Sequence, residues 1–181
     1  MVAVSAVLTI LALVLLRHFV AEPYRVPSDS MAPSLQSGDL ILVDLGSRGA
    51  AQRGQLVVFD GAGYFSPADG TDHFWVKRVI GVAGDTVEFN RAKDPDHLLV
   101  NGQPLAEPYL PDGVAASAVE FTATVPEGRI FVMGDNRIAS SDSRDHLGSP
   151  GGGMIPVERV RGEVTIIVLP LGRSGAVRAI E

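Results

Sequence analysis

From Glu22 onward the chain is divided into short β-rich runs separated by Gly, Pro and Asp, and this punctuation narrows its choice of fold more than any other feature. Leu40 to Val43, Gln55 to Phe59, Phe74 to Ile80, Thr86 to Phe89, Leu98 to Val100, Arg129 to Met133 and Gly162 to Leu169 have the lengths and side chains of strands. Turn signals stand between them at Ser37-Gly38-Asp39, Arg53-Gly54, Gly84-Asp85 and Asn101-Gly102. Asn101-Gly102, flanked by Leu99-Val100 and Gln103-Pro104-Leu105, has the form of a two-residue hairpin loop. The expectation is a mainly β protein built on an antiparallel sheet. Residues 60–72 and 149–153 read as surface loops, and residues 81–125 as a small β unit inserted between two halves of the core.

The start of the chain is different. Residues 1–16 are almost wholly apolar and carry no charged side chain. Extended through Val20, the stretch reaches the roughly 20 residues a helix needs to cross a bilayer core. Arg17 and His18 can snorkel to the headgroups, and Phe19 and Tyr24 suit the interface. A cleavable signal peptide would carry a basic start and small residues before the cut, whereas here Phe19 precedes Ala21. A buried core helix would show a polar face. Residues 1–21 are therefore expected to be a single transmembrane anchor, and residues 22–181 one globular domain. No basic residue precedes the segment to set its orientation, which leaves a cytoplasmic leader ahead of it open.

Composition removes several function classes. A formal net charge of -6 and the lack of a basic run give nucleic-acid binding no electrostatic support. The absence of cysteine excludes disulfides, thiolate metal sites and thiol nucleophiles. No H-E-x-x-H or comparable ligand spacing occurs, so neither metal nor cofactor is expected.

Three stretches could carry chemistry. In Pro27-Ser28-Asp29-Ser30-Met31-Ala32-Pro33 the prolines exclude helix and restrain the backbone around Ser30. Solvated turn serines look the same, so the segment alone does not decide. In Phe74-Trp75-Val76-Lys77-Arg78-Val79-Ile80-Gly81, strand alternation puts Lys77 on a face with Trp75 and Val79. An amine on an apolar face loses its proton more readily, and a lysine can lose it where an arginine cannot. Lys77 and Lys93 are the only two lysines of the chain; an outward-snorkelling Lys77 is the other reading. The stretch from Met133 to Asp145 follows an apolar run with a dense set of donors and acceptors. There, Asp142 with Arg144, or Asp135 with Arg137, could pair to stiffen a site, and one hydroxyl could orient a base.

Together these stretches resemble the type I signal peptidase family. Pro27-Ser28-Asp29-Ser30-Met31-Ala32-Pro33 is similar to its P-S-x-S-M-x-P pattern, and Arg53 to Phe59 to its hydrophobic strand motif. Lys77-Arg78-Val79-Ile80-Gly81-Val82-Ala83-Gly84-Asp85 is similar to its lysine motif. Gly134-Asp135-Asn136-Arg137 with Ser140-Ser141-Asp142-Ser143-Arg144 is similar to its final motif. The motifs occur in family order and span nearly the whole chain.

The resemblance implies an antiparallel β catalytic domain of signal-peptidase type behind one N-terminal transmembrane helix. It implies Ser30 as nucleophile and Lys77 as general base. It also implies Ser28 in the oxyanion hole, Ser140 orienting the lysine, and Asp142 with Arg144 as a supporting pair. Tyr24, Val26, Leu35, Trp75 and Val76 align with positions around the substrate pockets. The implied protein is a single-pass serine endopeptidase of the cell membrane, its catalytic domain on the extracytoplasmic side. Its partners are the lipid bilayer and exported preproteins whose signal peptides it removes, with no nucleic acid and no metal. Asp29 departs from the family's usual Gly, and Ile138-Ala139 from its usual Asp-Asn.

Other readings are weaker. A Ser-His-Asp hydrolase would draw on His73 or His146, but no nucleophile-elbow pattern accompanies the four histidines. A self-cleaving repressor shares the dyad but would carry a DNA-binding domain in place of an anchor. A membrane-tethered binding domain with a dead site is the reading from another class, and titration with an acyl-reactive inhibitor separates it from an enzyme.

Overall fold

The computed structural model describes residues 20–69, 73–149 and 151–177. The expected anchor lies outside these residues except for its last two positions, and among the described residues no helix is long and apolar enough to cross a membrane. In chain order the strands are β1 (Ala21–Arg25), β2 (Leu40–Asp44), β3 (Leu56–Asp60), β4 (Phe74–Gly81), β5 (Thr86–Phe89) and β6 (Leu99–Val100). There follow β7 (Gln103–Pro104), β8 (Phe121–Thr124), β9 (Arg129–Met133), β10 (Ile155–Pro156), β11 (Val160–Leu169) and β12 (Gly175–Ala176). The larger sheet runs β1-β2-β11-β3-β4-β9-β10, with β12 added to β11, and its strands pair antiparallel throughout. The smaller sheet, β7-β6-β5-β8, is also antiparallel and lies in sequence between β4 and β9.

Burial follows the side-chain pattern. β2 alternates, with Ile41 and Val43 turned inward. β3 is buried at four consecutive positions because apolar clusters cover both of its faces. Leu56 and Val58 pack with Val26, Met31 and Leu35, whereas Val57 and Phe59 pack with Val79, Ile130 and Val160. Each such side chain contributes about 1.5–3 kcal/mol on burial. A third cluster joins the two sheets, bringing Ile80, Phe131 and Met133 against Val87, Phe89 and Phe121. A Cβ on Gly81 would sit 2.6 Å from Val87 Cγ2, so a glycine at the end of β4 is what lets the smaller sheet approach.

The large sheet curls. Register shifts in β11, between Val160 and Gly162, Val164 and Ile166, and Ile167 and Leu169, bend and twist that strand. The edge strand β1 thereby comes round to β4, and the rings of Tyr24 and Phe74 meet edge-on at 5.5 Å between centroids. Asn101 and Gly102 have φ of 54° and 78°, the left-handed pair that a two-residue hairpin loop requires between β6 and β7.

Four strands were not anticipated: β1, β8, β10 and β12. Tyr24 and its neighbours read as the interfacial end of the anchor, yet they form a strand in which Pro23 is tolerated because, among the described residues, β1 pairs on one side only. β8 alternates buried and exposed residues over just four positions, and β10 and β12 have two residues each, too short for periodicity to register.

Candidate active site

Ser30 is positioned by the residues on either side of it. The turn holding it is closed by Ala32 N–H donating to Asp29 O (3.0 Å) and Leu35 N–H donating to Met31 O (2.9 Å). Met31 and Leu35 are wholly buried, so the turn is pinned to the core through them while Ser30 stays half-buried at the surface of the site. From the other side, Asn136 N–H donates to Ser30 O (3.1 Å) and Asn136 Nδ2 to Asp29 O (3.1 Å). Gly134 lies against the same turn, where a Cβ would collide with Ser140 Oγ and with Ser30 O.

Lys77 comes from the middle of β4 and is 1% exposed. Its Nζ lies 2.7 Å from Ser30 Oγ and 5.5 Å from the Trp75 ring centroid. Burial lowers the Lys77 pKa from 10.5 to about 8, against the opposing pull of Asp142, Asp135 and Asp145 and with some help from Arg144. About a tenth of the amine is thus neutral at pH 7, and that form can accept a proton from the hydroxyl it touches.

Ser28 Oγ donates to Ser30 Oγ across a long 3.4 Å contact. Ser140 Oγ donates to Asp142 Oδ2 at 2.9 Å, so its hydrogen bond runs to the carboxylate that acts on Lys77 through charge. Arg144 grips Asp142 with Nε and Nη2 at 2.9 and 2.8 Å, and Gly134 N–H adds a third donor at 3.0 Å. These donors hold the Asp142 pKa down although burial pushes it up. Asp135 and Arg137 do not pair with each other. Asp135 takes a two-pronged bond from Arg78 at 2.8 and 2.7 Å, and Arg137 pairs with Glu107. The Asp29 carboxylate accepts from Ser37 N–H at 2.8 Å and so braces the following turn. Ile138 is 86% exposed, and nothing in the structure explains an isoleucine there.

A cleft of about 410 Å³ leads to this pair, with walls that include Tyr24, Val26, Phe74, Trp75 and Val76. Leu35 is not on its wall; it is buried beneath, beside Met31. Among the described residues, β9 pairs with β4 only from Arg78 onward, and β1 pairs only with β2. The cleft therefore runs between two strand edges with unpaired backbone groups, suited to an extended chain. A Cβ on Gly61 would sit 2.6 Å from the Trp75 ring, so that glycine gives the indole its place in the wall. His73 also lines the cleft, His146 stacks on Phe65 at 4.6 Å, and His97 pairs with Asp94. Sequence reasoning missed Glu107 and Tyr109, which no motif marks.

The family model described as signal peptidase, peptidase S26, matches residues 1–169. Signal peptidase I of Mycobacterium tuberculosis is 38% identical, the match covering 98% of this chain and 75% of the relative. Signal peptidase I of Bacillus licheniformis is 37% identical over 92% of this chain and 86% of its own length. A solved signal peptidase I from Enterococcus faecalis is 32% identical, covers 64% of this chain and 97% of the other, and has a TM-score of 0.47, too loose a match to argue from.

Proposed function

Because the chain belongs to the signal peptidase family, peptidase S26, and is a serine peptidase, we propose that it is membrane-bound and removes signal peptides from exported preproteins with a Ser30–Lys77 dyad. One observation carries the reading: a buried lysine amine 2.7 Å from a serine hydroxyl at the end of an apolar cleft between open strand edges.

Neutral Lys77 takes the Ser30 proton as Oγ bonds to the scissile carbonyl carbon, whose π electrons move to oxygen. The Ser30 backbone N–H and Ser28 hydroxyl face the resulting oxyanion, each strong donor supplying about 2.7–4 kcal/mol. As the intermediate collapses, the C–N bond breaks and Lys77 returns its proton to the leaving amine. The acyl group then sits on Ser30 as an ester. Lys77 next takes a proton from water, whose oxygen attacks the ester, and gives it back to Ser30 Oγ as the signal fragment leaves. The apolar walls formed by Val26, Trp75 and Val76 favour small side chains next to the bond, with the peptide held extended along β1 and β4. Asp142, held by Arg144 and Ser140, acts on the lysine through its charge. The segment 1–21 tethers this site at the membrane, on the extracytoplasmic side.

Purified protein, a peptide with an Ala-x-Ala cleavage site, and the variants Ser30→Ala, Lys77→Ala and Lys77→Arg test the chemistry. All three should stay folded and lose cleavage by at least about 10³-fold, since a permanent cation cannot accept the proton. Normal cleavage by Lys77→Arg would remove Lys77 as the base.

A further inference from the structure

Three buried ion pairs surround the loop from Gly134 to Arg144: Arg78–Asp135, Arg144–Asp142 and Arg137–Glu107. The first two lie within the motifs. The third does not, because Glu107 belongs to the irregular segment that follows β7 in the smaller-sheet region. Arg137 reaches it with both terminal nitrogens, Nη2 to Oε1 and Nη1 to Oε2 at 3.2 Å, with the side chains 1% and 5% exposed. Two further bonds of Arg137 run to backbone: Nε donates to Gly134 O at 3.1 Å, and Nη1 to Ala116 O at 2.7 Å. Tyr109 completes the cluster. Its hydroxyl donates to Glu107 Oε1 at 2.6 Å and accepts from Arg137 Nη2 at 3.3 Å. Its ring lies 3.9 Å from the Arg78 guanidinium carbon, and Arg78 grips Asp135 and Gly54 O.

Resting on the dyad reading above, we infer that Glu107 and Tyr109 are positioning residues for the catalytic pair, through which the smaller-sheet region braces the loop that holds Ser30. The mechanical path is short. Glu107 fixes Arg137, Arg137 holds Gly134 O, and two residues on Asn136 N–H holds Ser30 O. Tyr109 supports both ends, since it stacks on the arginine that holds Asp135 and bonds the carboxylate that holds Arg137. A buried guanidinium that loses its carboxylate must find other partners or water, and the backbone oxygen it grips moves with it. Because a shift of about 1 Å between reacting groups costs on the order of 10²-fold in rate, slackness here reaches Ser30 Oγ and Lys77 Nζ. Neither Glu107 nor Tyr109 lines the cleft, so substrate affinity is not the quantity they control.

The test uses the full chain in detergent, with Glu107→Gln and Tyr109→Phe made separately. Acylation of Ser30 by a small lactam is followed by mass, alongside peptide kcat and KM and thermal unfolding. Glu107→Gln should acylate about tenfold more slowly per folded molecule, with kcat reduced alike and KM within about twofold of wild type. Tyr109→Phe, which keeps the ring between the guanidiniums but loses both hydroxyl bonds, should fall about two- to threefold and carries the test if Glu107→Gln does not fold. Variants that melt lower yet acylate at the wild-type rate well below the midpoint would overturn the inference, leaving these residues purely structural. A wild-type protein that the lactam labels elsewhere than Ser30 would instead overturn the dyad reading itself.

Discussion

Lys77 is pulled in two directions. Burial against Trp75 and the core drives the proton off its amine, while Asp142, Asp135 and Asp145 favour keeping it, and the balance falls at a pKa of about 8. In the unfolded chain the same amine has its ordinary pKa of 10.5. Between the two pH values the unfolded state binds more protons, so stability from this group rises with pH through that window and is at its lowest below about 8. The full penalty is about 3 kcal/mol, given 1.36 kcal/mol per pKa unit. Lys77→Met should therefore be inactive yet more stable than wild type at pH 7 by about 1–3 kcal/mol, without the wild type's rise in stability above pH 8. Denaturant melts at several pH values measure this; equal stability of the two proteins would contradict the buried-charge account. Cleavage by the wild type should rise about tenfold per pH unit below about 8 and level off above it, read from kcat/KM against pH. Asp29 is not among the groups that act most strongly on the Lys77 amine, and its carboxylate accepts from Ser37 N–H at 2.8 Å.

At the scale of elements, the site is an encounter of the Ser30 turn, β4 and the loop after β9. Their fit depends on Gly134, whose missing side chain leaves room for Ser140 and for the Ser30 carbonyl. Gly134→Ala would push directly on that backbone oxygen, which has no rotamer through which to escape. It should cost about 1–3 kcal/mol in stability and at least about 10²-fold in cleavage, measured by thermal unfolding and peptide kcat/KM. Wild-type cleavage would show the turn to be softer than its packing implies. β2, β5 and β9 were legible as β-rich runs bounded by turn residues, as was the Asn101-Gly102 hairpin. The partners of Asp135 and Arg137 were not, because Arg78 and Glu107 lie 57 and 30 residues away in sequence and pairing at that range is set by the sheet.

For the whole molecule, curling brings the first strand of the globular domain to the cleft. β1 begins at Ala21, so the wall carrying Tyr24 and Val26 starts where the expected anchor ends. An anchor in this position would hold the cleft within a few residues' reach of the bilayer and raise the effective concentration of membrane-borne substrates. Removing residues 1–19, which leaves β1 intact, should keep hydrolysis of a short soluble peptide within about threefold. Cleavage of a membrane-inserted preprotein should fall at least about tenfold. Vesicle-reconstituted preprotein and free peptide assayed side by side measure both; equal losses on the two substrates would argue against tethering.

The residue order along the chain was enough to read an antiparallel β protein, because strand runs and turn residues are local properties, and its resemblance to the type I signal peptidase family put Ser30 and Lys77 forward. Their 2.7 Å approach across 47 positions, the burial that lowers the amine's pKa, the departure of Leu35 from the cleft wall and the brace through Glu107 and Tyr109 became visible only in the folded chain. The reason is that burial and close packing are collective: which side chains lose water, and which charges then face each other, depends on how the curled sheet closes rather than on any short stretch of residues.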